Sequence, residues 1–437
     1  MRSSMIALAT ALAALTLAAP AISQPIDQTK NTQTTIRGQS GSASSKSQEQ
    51  EQAKQEADKL TTGRKVELSK DARKAIVELQ AAVTAKDVAS IPAKLAAAQQ
   101  AAKTNDDKYV IAVYQTKAAT DAGDLAAMRA GIDALRASTG AEPAVLIARY
   151  NDLGKRYYDA KQMDLSAGAF EQTLTVDANN SDALKMLASV RESQHRGAEA
   201  VGLMAKSIAA AKAAGVKPKD SDYKFAARIA YDSKSPASAE ITRAWLTDYP
   251  SSANWRDGLR IYRDVNGLEG DAQIDVMRLA RAANALSGDN DYFTYISALI
   301  TRGYLNEAKA VLDEGGAKKA IDVNKALFKQ LAPRLAKAPS RATIDTAAKA
   351  ALGRATGKDA MDAGDTLYGI GAFSEAAPLF KAAAAKGGVD ANRANLRAGM
   401  AMARAGDKAG ATAALNAVTG AEANLAKYWL IWLATKG

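Results

Sequence analysis

The chain has 437 residues, and its 58 Lys and Arg against 47 Asp and Glu give a formal charge of +11. It holds no cysteine and one histidine, which excludes disulfide staples, thiolate metal sites, a cysteine nucleophile, lipidation at a cysteine and a multi-histidine zinc site. Hydrophobic residues make up 47% but aromatics only 5%, so much of the apolar content is alanine, the strongest helix former, and the chain is expected to be nearly all helix.

The N-terminus bears on compartment. Arg2 precedes an apolar run from Met5 to Leu17, followed by Ala18, Ala19, Pro20, Ala21, Ile22 and Ser23. Charged, apolar and small residues in that order mark a secretory signal peptide, with cleavage expected after Ala21 or Ser23. The run is shorter than the roughly 20 residues of a bilayer span. Residues 1–23 are therefore expected to be removed and the mature protein to be periplasmic. Export sets nucleic acid aside as a partner for the basic surplus. Anionic lipid, acidic peptides and polysaccharides are left.

Residues 24–60 are polar and are expected to be a disordered leader, since they carry too little apolar surface to offset their ordering entropy. Within them Gln48 to Lys59 has helical composition without an apolar stripe. It reads as a solvated linker, with a short oligomerising helix as the alternative.

From Ser69 the pattern changes. Ser69 has the character of an N-cap, with Ile76, Leu79 and Val83 at helical spacing behind it. Asp106 and Asp107 suit the start of a helix. Turn signals recur near Asp87, Gly123, Asp164, Gly197, Lys234, Leu268, Gly303, Lys337, Gly371 and Gly406. Most intervals are about 34 to 37 residues, with one of about 41, a period that indicates stacked helical hairpins. Each turn is placed between the two helices of one hairpin.

The segment YNDLGKRYYDAKQMDLSAGAFEQTL, Tyr150 to Leu174, shows how such a hairpin packs. Tyr150, Leu153, Gly154 and Tyr157 share one helical face. Gly154 is expected to let the second helix approach, and Phe170 to fill the space between successive hairpins.

Y-x-x-L-G-x-x-Y followed by Phe170 resembles the tetratricopeptide repeat family. Further partial copies carry Leu184, Leu187, Ala188, Ala200 and Met204; Trp255, Leu259 and Tyr262; and Tyr292, Tyr295, Leu299, Gly303, Ala308 and Leu312. Two more carry Ala363, Gly364, Leu367, Gly371, Ala376 and Phe380, and Ala398, Gly399, Met402, Gly406, Ala411 and Leu415. The expected organisation is an all-α solenoid of about ten helix-turn-helix hairpins. It comprises degenerate hairpins over 61–143, clearer repeats over 144–420 and a capping helix over 421–437. The resemblance implies a surface that binds peptides or extended segments, along the first helix of each repeat.

No Walker loop, GxSxG or HExxH occurs. No catalytic residue, cofactor or metal site is expected. GLEGDAQID after Asn266 lacks the ligand alternation of an EF-hand, and His195 reads as an exposed polar residue beside a turn. Stepping round from the packing positions marks partner-binding candidates: Asn151, Lys155 and Tyr158, then Lys185 with Ser189, then Arg256, Arg260 and Arg263. The three arginines form a stripe beside Trp255, Leu259 and Tyr262 and could grip carboxylates or phosphates. In LAKYWLIWLA, Leu425 to Ala434, aromatic and apolar residues surround the helix. Trp429 and Trp432 therefore mark either a helix buried by the last hairpin or a docking site for an envelope component. The function expected is a non-catalytic scaffold for protein or peptide partners of acidic character. A structural subunit of an envelope-biogenesis or polysaccharide-export complex is the alternative. Whether peptide, protein or glycan fills the groove stays open.

Overall fold

The computed structural model describes residues 66–436. The chain divides into units Met1–Lys59 and Leu60–Gly437, and only the second is described below. The signal-peptide and polar-leader expectations fall outside the described residues. Among the described residues no strand occurs, and no helix is long and apolar enough to cross a membrane.

The helices pair in order. The first hairpins are α1 (Lys70–Thr84) with α2 (Ile91–Ala101), and α3 (Asn105–Ala122) with α4 (Leu125–Ala137). Then come α5 (Pro143–Asp159) with α6 (Met163–Val176), α7 (Ser181–Ser193) with α8 (Gly197–Ala213), and α9 (Asp220–Asp232) with α10 (Ser238–Asp248). Next are α11 (Ser252–Val265) with α12 (Gly270–Ala282) and α13 (Gly288–Arg302) with α14 (Leu305–Ala317). Ser69 caps α1 as expected, its side chain accepting from the Ala72 N–H. Asp107 closes a capping box with Thr104 and also accepts from the backbone N–H of Ser69, which ties the start of α1 to α3.

One conformational rule sets the rhythm. Lys86, Gly123, Lys161, His195, Lys234, Gly267, Gly303, Gly371 and Gly406 all have positive φ, and each stands between the two helices of a hairpin. The next residue returns its N–H to the last helical turn, as Asp124 does to Ala119 O and Tyr304 to Leu299 O. This is the left-handed C-terminal cap, which glycine adopts at least cost. Four hairpins place a side chain there instead, and His195 is one of them.

Gly154 works as the sequence indicates. A Cβ there would stand 2.8 Å from the Phe170 ring. Phe170 also joins Leu187 and Val190 of the next hairpin in one apolar cluster. The pairs Gly364–Phe380 and Gly399–Leu415 repeat this contact at the same sequence offset. The tyrosines reach backwards: Tyr150 OH donates to Asp133 Oδ1 at 2.8 Å and Tyr157 OH to Leu125 O at 3.1 Å.

The rhythm falters near Lys337. A regular hairpin is expected there, but its first helix is replaced by two four-residue pieces, α15 (Ala326–Lys329) and α16 (Ala332–Leu335). Pro333, which has no N–H to continue the helical ladder, stands at the start of α16 and separates them. Regular pairing resumes after α17 (Arg341–Gly353), with α18 (Gly357–Gly369) on α19 (Phe373–Lys386) and α20 (Ala391–Ala405) on α21 (Lys408–Asn416).

The last helix, α22 (Ala423–Ala434), covers more than its own neighbour. Tyr428 OH donates to Ala239 O at 3.1 Å, and Arg243 Nη1 donates to Asn424 Oδ1 at 2.7 Å. Trp432 Nε1 donates to Ala282 O at 3.1 Å. Helices α18–α22 therefore fold back on α10–α12, and one apolar cluster runs from Ala239 to Leu433.

Candidate binding surfaces

The arginine stripe lies on α11. Trp255, Leu259 and Tyr262 point inward and are buried. Arg256, Arg260 and Arg263 line one shallow cleft together with Met277, Leu286 and Asp291. Their side chains are 43%, 58% and 22% exposed. Arg256 and Arg260 have only a distant shared partner, Asp257, at 3.6 and 3.7 Å. Arg263 is held at 2.7 Å by Asp264. Asp291 accepts from the backbone N–H of Ser287 at the start of α13. Two guanidinium groups thus face solvent with much of their donor capacity unspent.

The other candidates are not brought to this stripe. Asn151, Lys155 and Tyr158 lie on α5 and Lys185 on α7, helices that pack on each other, whereas α11 packs on α10 and α12. Lys155 is exposed. Asn151 accepts from Thr173 Oγ1 at 2.9 Å, and Tyr158 lies half-buried against a cluster with Lys161 near its ring. Lys185 sits between Asp182 and Asp222 at 3.6 and 3.5 Å. Ser189 turns its hydroxyl back to Lys185 O.

Trp429 and Trp432 require a correction to the docking expectation. Both are buried, at 0% and 7% exposure, edge-to-face with ring centroids 5.3 Å apart. What covers them is this chain's own α10–α12 as well as the final hairpin, so neither ring is open to a partner in this structure. The apolar character all round α22 follows from packing on two sides.

The sequence reading missed a buried ionic cluster. Arg278 on α12 donates to Glu307 through Nε and Nη2, at 3.1 and 2.7 Å, and through Nη1 to Asp365 at 2.9 Å and Asp275 at 3.2 Å. Arg397 on α20 reaches Asp275 at 3.0 Å and Asp365 at 2.6 Å. Tyr295 OH donates to Glu307 at 2.6 Å and Tyr304 OH to Asp365 at 3.0 Å. The Arg278 guanidinium also lies 4.6 Å from the Tyr368 ring centroid. Gly369 admits the helix carrying Glu307, for a Cβ there would meet Glu307 Cβ at 2.8 Å.

Burial and pairing compete in this cluster. Burial would lower the Arg278 pKa, but Glu307 and Asp365 outweigh it and hold the guanidinium charged. Burial would raise Glu307, yet Arg278 and the Tyr295 hydroxyl bring it below the usual carboxylate range. At Asp275 burial wins over Arg397 and Arg278, and the carboxyl is pushed up. The arrangement ties α12, α14, α18 and α20 together. A signal for it was present: Asp271, Asp275 and Arg278 fall on one face of α12, where packing helices normally carry apolar residues.

Beside the cluster opens a cleft of about 600 Å³, walled by the α13–α14 turn, α18 and the start of α20. Arg302, Lys358, Arg393 and Arg397 line it with Asp271, Asp362 and Asp390. Among the described residues no group of three or more His, Asp and Glu is placed to hold a metal ion.

No family model matches the chain, and no curated protein is significantly similar to it. Among solved structures, a tetratricopeptide repeat protein from Parabacteroides merdae is 12% identical, covering 75% of this chain and 99% of its own, with a TM-score of 0.26. A circular tandem repeat protein with a novel repeat topology and enhanced subunit contact surfaces is also 12% identical. It covers 90% of this chain and 86% of its own, with a TM-score of 0.13. The superpositions are too loose to carry detail, so the architecture stands on the hairpins themselves: an all-α array of stacked helical hairpins.

Proposed function

We propose that the protein is a non-catalytic scaffold of the bacterial periplasm that holds acidic segments of partner proteins. An array of helical hairpins presents an extended surface, a form suited to holding another chain. The observation that carries the reading is the stripe of Arg256, Arg260 and Arg263, lined up on one cleft with only distant partners for two of the three. Arginine forks suit carboxylate groups, and an acidic segment would take up the donors that Asp257 does not. The periplasmic part rests on the order of residues 1–23 and is tested by mass measurement of the exported chain, which should begin after Ala21 or Ser23.

The partner reading is tested in cells. Tagged protein is crosslinked in the periplasm, purified, and its partners identified by mass spectrometry, for wild type and for the triple charge reversal Arg256→Glu, Arg260→Glu, Arg263→Glu. A partner that rebinds the purified wild-type protein and not the reversal supports the reading. Equal affinity for both removes the stripe from the binding surface. The alternative, an assembly subunit docked through the C-terminal helix, loses its main support because that helix is occupied within the chain.

A further inference from the structure

We propose that the surface around the arginine stripe is bipartite. It continues into a neighbouring cleft that takes a large apolar side chain, so the segment held is an acidic run with a phenylalanine or leucine about three positions away. The inference rests on the partner reading and adds a second determinant to it.

Position carries the inference. The shallow cleft of the stripe reaches Asp291 at the start of α13. A wider cleft of about 760 Å³ lies further along the same helix, between the α11–α12 turn and the α13 residues Phe293, Thr294, Ser297, Ala298 and Thr301. Arg263 lines both clefts. From Asp291 to Ser297 the helix advances about 9 Å, which an extended chain covers in about three residues. One short segment can therefore occupy both.

The second lining is open to a visitor and differs in kind from the first. Leu268, Phe293 and Ala298 line it and are only half-buried. The Phe293 ring stands edge-on to the buried Phe328, with centroids 6.4 Å apart, which holds it in place. An aromatic or branched aliphatic side chain laid here would take the rest of this apolar surface out of water. On the same walls the side chains of Gln273, Thr294 and Ser297 make no hydrogen bond among the described residues. Their amide and hydroxyl groups suit the main chain of a bound segment.

Charge keeps a second acid out of this cleft. Arg302 spends two donors on Asp271, at 2.8 and 2.6 Å, and Arg263 donates to Asp264 at 2.7 Å. Glu269 is exposed on the lining and would repel a carboxylate. The unspent guanidinium donors belong to Arg256 and Arg260, on the stripe. The acid is thus read at one end of the surface and the apolar side chain at the other.

The test is fluorescence polarisation of labelled peptides with the purified full chain. Two peptides carry three glutamates, a serine and a phenylalanine, in that order and in reverse. Their controls have serine in place of phenylalanine. At least one phenylalanine peptide should bind about tenfold tighter than its control, a gain that burial of one aromatic ring supplies. Ala298→Gln on α13 and Leu268→Gln in the turn each put a neutral polar group on the apolar wall. Either should remove the difference while the control peptides bind as to wild type, which also shows that the variant is folded. The inference is overturned by equal binding of phenylalanine and serine peptides, or by an advantage that survives in both variants. If that equal binding is lost in the triple arginine reversal, the partner reading stands and this inference alone falls. Binding that ignores the reversal, or no binding of any peptide, overturns both.

Discussion

Arg278 Nη1 donates to Asp365 Oδ1 at 2.9 Å, between residues 87 positions apart in the chain. A simple solenoid holds contacts between neighbouring repeats only, so this bond is an addition to the solenoid, made where its C-terminal hairpins fold back on earlier ones. Arg278→Met would leave Glu307 buried without its counter-charge and Asp365 with Arg397 alone, and should cost about 3–5 kcal/mol. Arg278→Lys should recover only part, because an ammonium cannot reproduce the fork on Glu307. Urea denaturation gives both values, and a wild-type midpoint for Arg278→Met would contradict this account.

Asp275 and Glu307 should respond oppositely to pH and unequally to neutralisation. Burial raises the Asp275 pKa, so its contribution to stability is present below the unfolded value and is lost as pH rises through the folded one. Glu307 is lowered despite burial, by Arg278 and Tyr295, so its contribution is present above the unfolded value and lost as pH falls through the folded one. At neutral pH, Asp275→Asn should therefore cost under about 1.5 kcal/mol and Glu307→Gln about 3 kcal/mol. Equal midpoints for the two variants would count against the assignment.

Asp107 makes the first hairpins acid-sensitive. Burial opposes its ionisation, but N–H groups of Lys103, Thr104 and Ser69 outweigh burial and bring its pKa down to about 2. Its contribution is present above about 4, the unfolded value, and is lost as pH falls toward about 2. Allowing for solvent screening, the loss is on the order of 1 kcal/mol. Hydrogen exchange in α1 and α3 should speed up over that window in the wild type and show less pH dependence in Asp107→Asn.

Gly154→Ala should destabilise the α5–α6 hairpin by about 1–3 kcal/mol, since the new methyl would stand 2.8 Å from the Phe170 ring. Gly154→Leu should cost more. Pairing either change with Phe170→Ala should recover part of the loss, and strict additivity in that double-mutant cycle would show that the two positions do not press on each other.

The turn residues offer gains. Lys161 and His195 hold φ of 61° and 59°, a region costing a non-glycine residue roughly 1–2 kcal/mol. Lys161→Gly and His195→Gly should each stabilise by about 0.5–1 kcal/mol after the added freedom of the unfolded chain is counted. Gly303→Ala should lose a similar amount. Thermal midpoints suffice to check all three.

Much of the architecture was legible because hairpins leave local marks. Gly154 and Phe170 declare their contact through spacing, and Gly123, Gly303, Gly371 and Gly406 declare their turns through side-chain absence. Lys86, Lys161, His195 and Lys234 occupy the same turn position without that mark, so the rule became visible only in the backbone angles. The arginine stripe was legible because its three members share one helix. The ionic cluster was not, since Arg278, Glu307, Asp365 and Arg397 meet only through long-range folding. The burial of Trp429 and Trp432 depends on the same fold-back, as a sequence period reports neighbours and not distant partners.

The bond from Trp432 to the carbonyl of Ala282 fixes a length. Repeat proteins ordinarily gain or lose a hairpin by duplication or deletion, with a small shift at the ends. Between Ala282 and Trp432 that freedom is absent. One hairpin more or fewer would rotate α22 away from α10 and separate Arg397 from Asp275. Duplication in this stretch should therefore be lethal to the fold, whereas added repeats before α9 would leave the closure intact. The number of hairpins in the C-terminal part is a structural constant of the molecule, as a strand count is for a barrel.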